Sequence, residues 1–140
     1  MATRNYEGKK FDKNDIDKIV DALTIEEALQ ININNKPFTV SMRTPGNDVS
    51  LVRGLLHAEG VINNIDFIPE ISLKKENEKG IVTIVNVNIP KAELGEGYSN
   101  SRSLLSVSSC GICGKTELGD LAFIGKTIDD NDKIDIGLIH

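Results

Sequence analysis

The feature that most restricts the fold of this 140-residue chain is a run of alternating hydrophobicity between Leu29 and Met42. Leu29, Ile31 and Ile33 alternate with Gln30 and Asn32, and after Asn34-Asn35 the apolar positions resume at Phe38, Val40 and Met42. A period of two is what a half-buried strand requires, because successive side chains point to opposite faces of a sheet. Asparagine tolerates the left-handed backbone of a two-residue turn, so the two runs predict a hairpin. A lone hairpin is marginal in water, so neighbouring segments must cover its apolar face.

Those segments read as follows. Ile16, Ile19, Val20 and Leu23 recur at helical spacing, which predicts a short amphipathic helix over Asp12–Leu23, capped by Asp12 or Asn14. Thr44-Pro45-Gly46-Asn47 breaks the second strand. Asn47 or Asp48 then caps a helix to about Glu59, with Val49, Leu51, Val52, Leu55 and Leu56 on its buried side and Gly60 as its left-handed stop. Gly54 inside this helix costs roughly 1 kcal/mol against Ala, which a close approach of another backbone would explain. Phe67–Leu73, interrupted by Pro69, predicts an edge or bulged strand. The β-branched Ile81–Ile89 predicts the most buried strand, with Lys74–Gly80 as the loop between them.

The fold class is therefore α+β: a small, mostly antiparallel sheet with two or three helices and a flexible cysteine-containing loop. With 39% hydrophobic residues and no Trp, its core must be built from Ile, Leu and Val. Residues 1–92 form the α+β unit. Residues 93–118 form a mobile Gly/Ser-rich loop, since Glu93–Gly114 holds four glycines and six serines, which bury little in return for being ordered. Residues 119–140 read as the start of a further unit: Asp135 caps a helix with Leu138 and Ile139 on its apolar face, and the chain stops within a turn, as in a fragment or a domain that needs a partner.

Charge narrows the function. A formal net charge of −5, with basic residues paired only briefly at Lys9-Lys10 and Lys74-Lys75, argues against a general nucleic-acid or membrane-surface binder. No apolar run approaches the ~18 residues of a membrane span. The polar start Met1–Phe11 lacks a signal-peptide core, so a cytoplasmic location is expected, where a structural disulfide is out of place. The only two cysteines nevertheless lie three apart.

Ser108-Ser109-Cys110-Gly111-Ile112-Cys113-Gly114-Lys115 is the constellation with chemical promise. A sulfur carrier needs a thiolate to attack a persulfide and a stem to present the terminal sulfur elsewhere. Gly111 and Gly114 remove bulk beside both thiols, Lys115 and Arg102 can stabilise a thiolate, and a second thiol can accept or release sulfur by exchange. Several readings compete. Half a zinc site would need further ligands, and only His57 and His140 are soft enough; His57 falls with Arg53 on the polar face of its predicted helix. The alternative in that class is a non-catalytic binding module whose Cys-x-x-Cys shares zinc across a dimer. A thioredoxin-like pair would follow a buried strand, whereas a serine-rich stretch precedes this one. Two inert loop cysteines are the bland reading. A phosphate loop at Gly114-Lys115-Thr116 fails because Ser109 stands where a glycine is required. Glu26-Glu27 and Asp129-Asp130 read as solvated carboxylates.

Ser109-Cys110-Gly111-Ile112-Cys113-Gly114 resembles the Cys-Gly-x-Cys-Gly signature of the formate dehydrogenase accessory sulfurtransferases, the FdhD/NarQ family. The order upstream agrees: a hairpin, then Arg43-Thr44-Pro45-Gly46, then Gly54 through Glu59-Gly60-Val61-Ile62, similar to the family's Gly-x-x-x-x-Glu-Gly-Ile-Ile segment. Arg102 stands where the family commonly has an arginine, and Ala28 where it usually has a proline. The match covers roughly residues 25 to 118. The resemblance implies a sulfurtransferase that takes persulfide sulfur from a cysteine desulfurase. It passes that sulfur to the bis-molybdopterin guanine dinucleotide form of the molybdenum cofactor, for formate dehydrogenase. It places the persulfide on Cys110, with Cys113 assisting, Arg102 and Lys115 toward the cofactor, and no tightly bound metal. The expected partners are the desulfurase, formate dehydrogenase and a second copy in a homodimer. Family members run to about twice this length, with a cytidine-deaminase-like second half that supplies much of the cofactor pocket; residues 119–140 would begin that half, and its Gly-Arg-His segment is missing here.

Overall fold

A computed structural model of the chain describes residues 3–12, 15–99, 115–121, 129 and 133–138. Among the described residues, two sheets and two α-helices make up the architecture: α+β, as the sequence predicts. The first sheet is a hairpin of β1 (Thr3–Asp12) and β2 (Asp15–Thr24), paired antiparallel along their whole length. The second has four strands: β3 (Glu27–Ile33), β4 (Lys36–Arg43), β5 (Glu70–Glu76) and β6 (Val82–Asn88), in spatial order β4-β3-β6-β5. Helix α1 (Asp48–Ala58) joins β4 to the segment leading into β5, and a single helical turn, α2 (Glu96–Ser99), follows β6.

The predicted hairpin is present, and its turn has the expected chemistry. Asn34 and Asn35 adopt φ of 50° and 64°. The Asn34 side chain also donates to the Ile89 carbonyl and accepts from the Ile89 N–H, each at 2.9 Å, which ties the turn to the end of β6. The period of two fails at one place. Register shifts between Ile31 and Asn32, so Ile31 faces Thr39 while Asn32 faces Pro37, and Phe38 is the extra residue of a bulge. A bulge re-aims its side chain. Phe38 thereby joins the core, while Val40 falls opposite Gln30 on the other face of the sheet.

β6 pairs parallel with β3 and antiparallel with β5, and it occupies the interior of the sheet, as its β-branched run predicts. Leu29, Ile31, Ile33, Val85 and Val87 are fully buried against Val52 and Leu56 of α1 and Val61 and Ile62 beyond it. β5 begins directly after Pro69 and forms one edge of the sheet, where a missing N–H is tolerated. It runs on to Glu76, so the predicted loop shortens to the turn around Asn77–Gly80.

Three expectations are corrected. Asp12–Leu23 is no helix: Asp15–Thr24 is a strand. Its apolar residues split between faces, Ile16 and Val20 on one side, Ile19 and Leu23 on the other, and all are exposed. The spacing i, i+3, i+4, i+7 suits a helix only if a core receives that stripe; here pairing with β1 satisfies the backbone instead. Helix α1 buries a narrower face than predicted. Val52 and Leu56 are buried and Leu55 half-buried, but Val49 and Leu51 are exposed. Among the described residues nothing approaches Gly54, so no close backbone approach there explains it. The helix stop is as read: Gly60 takes φ of 65°, and the Val61 and Ile62 N–H groups fold back onto the Leu56 carbonyl.

Candidate functional site

Arg43 shows how this sequence builds a junction. It ends β4 in the Arg43-Thr44-Pro45-Gly46 segment and is only 7% exposed. Its Nε donates to Asp48 Oδ1 at 2.8 Å, Nη1 to the Glu27 carbonyl at 3.0 Å, and Nη2 to the Val82 carbonyl at 2.5 Å. One guanidinium thus ties together β3, β6 and the first turn of α1. Asp48, expected as a cap, serves as the arginine's counter-ion, and Asn47 occupies the N-cap without a side-chain bond. Planar, five-donor geometry makes arginine suited to such a three-way junction. Gly46, at φ of 140°, makes the turn into the helix in a conformation that side chains other than glycine resist.

The segment that leads toward the cysteines leaves the core at a defined place. The Gly95 N–H donates to the Val61 carbonyl at 2.8 Å and the Gly97 N–H to the Gly60 carbonyl at 3.1 Å. A β-carbon on Gly95 would overlap the Gly60 carbonyl, and one on Gly97 would overlap that of Glu59. Two glycines are therefore required for the chain to lie in the turn that ends α1. Tyr98 then stacks on Phe38, with ring centroids 6.2 Å apart and planes inclined by 18°.

The chain returns at the free edge of β4. The Val40 N–H donates to the Lys115 carbonyl at 3.2 Å, and the Leu118 N–H donates to Gln30 Oε1 at 2.9 Å. Gln30 is 8% exposed, and its Nε2 donates to Asn32 Oδ1 at 2.9 Å, so both ends of the buried amide are used. Lys115 is half-buried at this edge. Of the four residues predicted for the site, it is the one the structure places. Cys110, Cys113 and Arg102 lie outside the described residues.

His57 is not on a solvated helix face. Its Nδ1 lies 3.1 Å from the Ile62 carbonyl, and Nε2 is buried with no hydrogen-bond partner among the described residues. Among the described residues no group of three or more His, Cys, Asp or Glu side chains converges on a metal-sized site.

Residues 24–136 match the model of the FdhD/NarQ family. The chain belongs to that family. Among curated members, the sulfur carrier protein FdhD of Mycobacterium tuberculosis is 36% identical over 104 residues, covering 70% of this chain and 38% of its own length. That of Sulfolobus acidocaldarius is 33% identical over 118 residues, covering 84% of this chain and 43% of its own length. The chain thus spans about two fifths of the FdhD/NarQ relatives it matches. A crystal structure from Desulfotalea psychrophila, of a candidate formate dehydrogenase accessory protein, superposes with a TM-score of 0.52 at 20% identity; it covers 66% of this chain and 39% of that one. That likeness is one of fold alone. The matched region takes in β3–β6, α1 and the cysteine motif, and β1 and nearly all of β2 precede it.

The residues that hold the roots of the cysteine segment were not singled out from sequence. Gly95-Glu96-Gly97 carried a signal, two glycines separated by a single residue. Gln30 carried none, since a polar residue is expected at that position of an alternating strand.

Proposed function

We propose that this chain is a sulfur carrier that receives persulfide sulfur on Cys110 and delivers it to the molybdenum cofactor of a formate dehydrogenase. The observation that carries the reading is the family membership of residues 24–136, a span that includes the Cys110-Gly-Ile-Cys113-Gly motif. The names of the relatives, sulfur carrier protein FdhD, agree with the chemistry the motif permits. A cysteine desulfurase supplies the sulfane sulfur. The Cys110 thiolate attacks it, the desulfurase cysteine leaves as thiolate, and Cys110 becomes a persulfide. At the acceptor the terminal sulfur is transferred and the Cys110 thiolate is restored. Cys113 assists as the exchanging neighbour. Lys115 and Arg102 supply positive charge toward an anionic cofactor, which is cargo here rather than a resident group. Desulfurase and formate dehydrogenase are the partners in this reading, and a second copy of the chain completes a homodimer.

The described part of the site supports this arrangement in one respect. Both ends of the segment carrying the thiols are fixed to the same sheet, at Tyr98 on Phe38 and at Lys115 on Val40. A scaffold that fixes the roots leaves the thiols to be presented by the residues between them.

Cold cyanolysis tests the reading. After incubation with a cysteine desulfurase and cysteine, the chain should yield about one cyanide-reactive sulfur per molecule, and the Cys110→Ala variant none. Equal yields from both proteins would refute the assignment.

A further inference from the structure

We propose that the outer edge of β1 is an interface between two copies of this chain. β1 of one copy pairs antiparallel with β1 of the other about a two-fold axis at Gly8, giving a four-stranded sheet in the order β2-β1-β1-β2. β1 and nearly all of β2 precede the family-matched residues, so this goes beyond the sulfur-carrier reading and shares with it only the second copy.

The hairpin is incomplete as it stands. Among the described residues its two ten-residue strands pair only with each other, which leaves each with one edge of unpaired backbone groups. Every residue of β2 is exposed, as is every residue of β1 except Gly8. Two such strands are marginally stable at best in water, and three or more are needed for independent stability. Charge adds a second cost. Lys9 stands directly opposite Lys18, and Asp12 opposite Asp15. Opposed residues share a face about 5 Å apart, where like charges destabilise the pair. Glu7 and Arg4 stand opposite Val20 and Leu23, so neither meets a charge across the ribbon. The one ion pair among the described residues is Arg43–Asp48, so Arg4, Glu7, Lys9 and Asp12 make none there.

The order of charges along β1 identifies what completes it. With Gly8 opposite Gly8, Glu7 of each copy meets Lys9 of the other, and Arg4 meets Asp12. Symmetry makes each pair twice, and no like charges meet. Tyr6 falls opposite Lys10, and Asn5 opposite Phe11. Both like-charge rows of the hairpin thereby gain an opposite charge: Glu7 beside Lys9 and Lys18, Arg4 beside Asp12 and Asp15. Opposed side chains must share a face, so the axis passes through a residue and other registers are reached only by moving it one residue at a time. An axis at Glu7 sets that residue on itself and Arg4 on Lys10; an axis at Lys9 sets Lys9 on itself. The edge of β2 has no equivalent. An axis at Lys18 or Ile19 brings Asp15 or Asp17 onto Asp21, and one at Val20 makes no ion pair.

The body of the protein leaves room for this partner. A cleft of about 740 Å³ borders the base of β1, lined by Thr3, Arg4 and Asn5 of the hairpin and by Pro45, Gly46 and Lys79. No β2 residue lines it, which puts it on the β1 side. In the proposed register it receives the far end of the other hairpin, where Asp12 and Asp15 bring negative charge to Arg4 and Lys79. Asp48 also lines the cleft but is already held by Arg43. Below the dissociation constant the hairpin is held by β1–β2 pairing alone, and its amides exchange early.

Sedimentation equilibrium of the full chain tests the interface. The parent should be a dimer that weakens as salt is added. Glu7→Lys turns two ion pairs into two like-charge contacts and should raise the dissociation constant at least about tenfold. The swap Glu7→Lys/Lys9→Glu exchanges the charges within the same register and should restore the dimer. Circular dichroism checks that each variant is folded. Register is read by diamide oxidation with both native cysteines replaced by alanine. Gly8→Cys should give an intermolecular disulfide, since its Cα atoms face each other about 5 Å apart, and Lys10→Cys, offset by four residues, should give none. A β-carbon at Gly8 makes only ordinary contacts with Ile19 and Tyr6. A chain that stays monomeric at millimolar concentration, a dimer indifferent to Glu7→Lys, a swap that fails to restore it, or equal capture by both cysteines overturns the proposal. Neither assay uses a sulfur donor, so failure here leaves the sulfur-carrier reading standing, and a chain that takes up no sulfur can still show this dimer.

Discussion

Replacing Arg43 with methionine removes the junction of β3, β6 and α1 while keeping most of the side-chain volume. The guanidinium and its counter-ion are nearly buried, with side chains 4% and 11% exposed. The variant leaves the Asp48 carboxylate without its partner and the Glu27 and Val82 carbonyls without their donors. Removing one member of a buried pair costs about 3–5 kcal/mol, because the remaining charge is stranded rather than because the pair itself was strong. For a domain of this size 1 kcal/mol corresponds to roughly 3–4 °C in Tm, so Arg43→Met should melt about 10–20 °C below the parent. Urea unfolding followed by circular dichroism gives the same loss as a free energy. The double variant Arg43→Met/Asp48→Leu removes both charges and should recover at least about 1 kcal/mol, since the stranded carboxylate is the main penalty. Loss below about 1 kcal/mol in the single variant, or no recovery in the double, would refute the argument that Arg43 is a structural clamp.

Other expectations follow from the same coordinates. Gly97→Ala drives a β-carbon into the Glu59 carbonyl and should cost about 1–3 kcal/mol in urea unfolding, whereas an unchanged midpoint would mean that this close approach is absent. Gly54→Ala meets open space on an exposed helix position and should stabilise by about 1 kcal/mol, seen as a rise of a few degrees in Tm; destabilisation would show that something covers this face. Amide hydrogens of β1 and β2, whose side chains are almost all exposed, should exchange well before those of β3 and β6 in hydrogen-exchange mass spectrometry. Comparable protection in both sheets would contradict a hairpin whose strands, among the described residues, pack mainly on each other.

What could be read from sequence was what is decided locally. The hairpin from Leu29 to Met42 was legible because alternation and an Asn-Asn turn need no distant partner, and Gly60 marked the end of α1 for the same reason. Residues Asp15–Thr24 misled because helical spacing is informative only where a core receives the apolar stripe. In β2 the same residues fall on both faces of an exposed ribbon, and their partner strand β1 is itself polar. The bulge at Phe38 depends on packing beneath the sheet, which no pattern in β4 announces. At the site, spacing and flanking glycines single out Cys110 and Cys113 as candidate thiols. The return of the chain onto Gln30 was not legible, since Gln30 and Leu118 are 88 positions apart and neither is unusual alone. Arg43 is a related case: it lies in the segment that resembles the family's, and its contacts give it a structural task.

Persulfide mapping is the most direct test of the sulfur-carrier account. Trypsin cleaves after Arg102 and Lys115, releasing Ser103–Lys115 with both thiols in one peptide. After incubation with a cysteine desulfurase and cysteine, that peptide should gain about 32 Da, one sulfur atom, removable by dithiothreitol and assigned to Cys110 by fragmentation. An adduct confined to Cys113, or none on either thiol while the desulfurase itself carries persulfide, would contradict it.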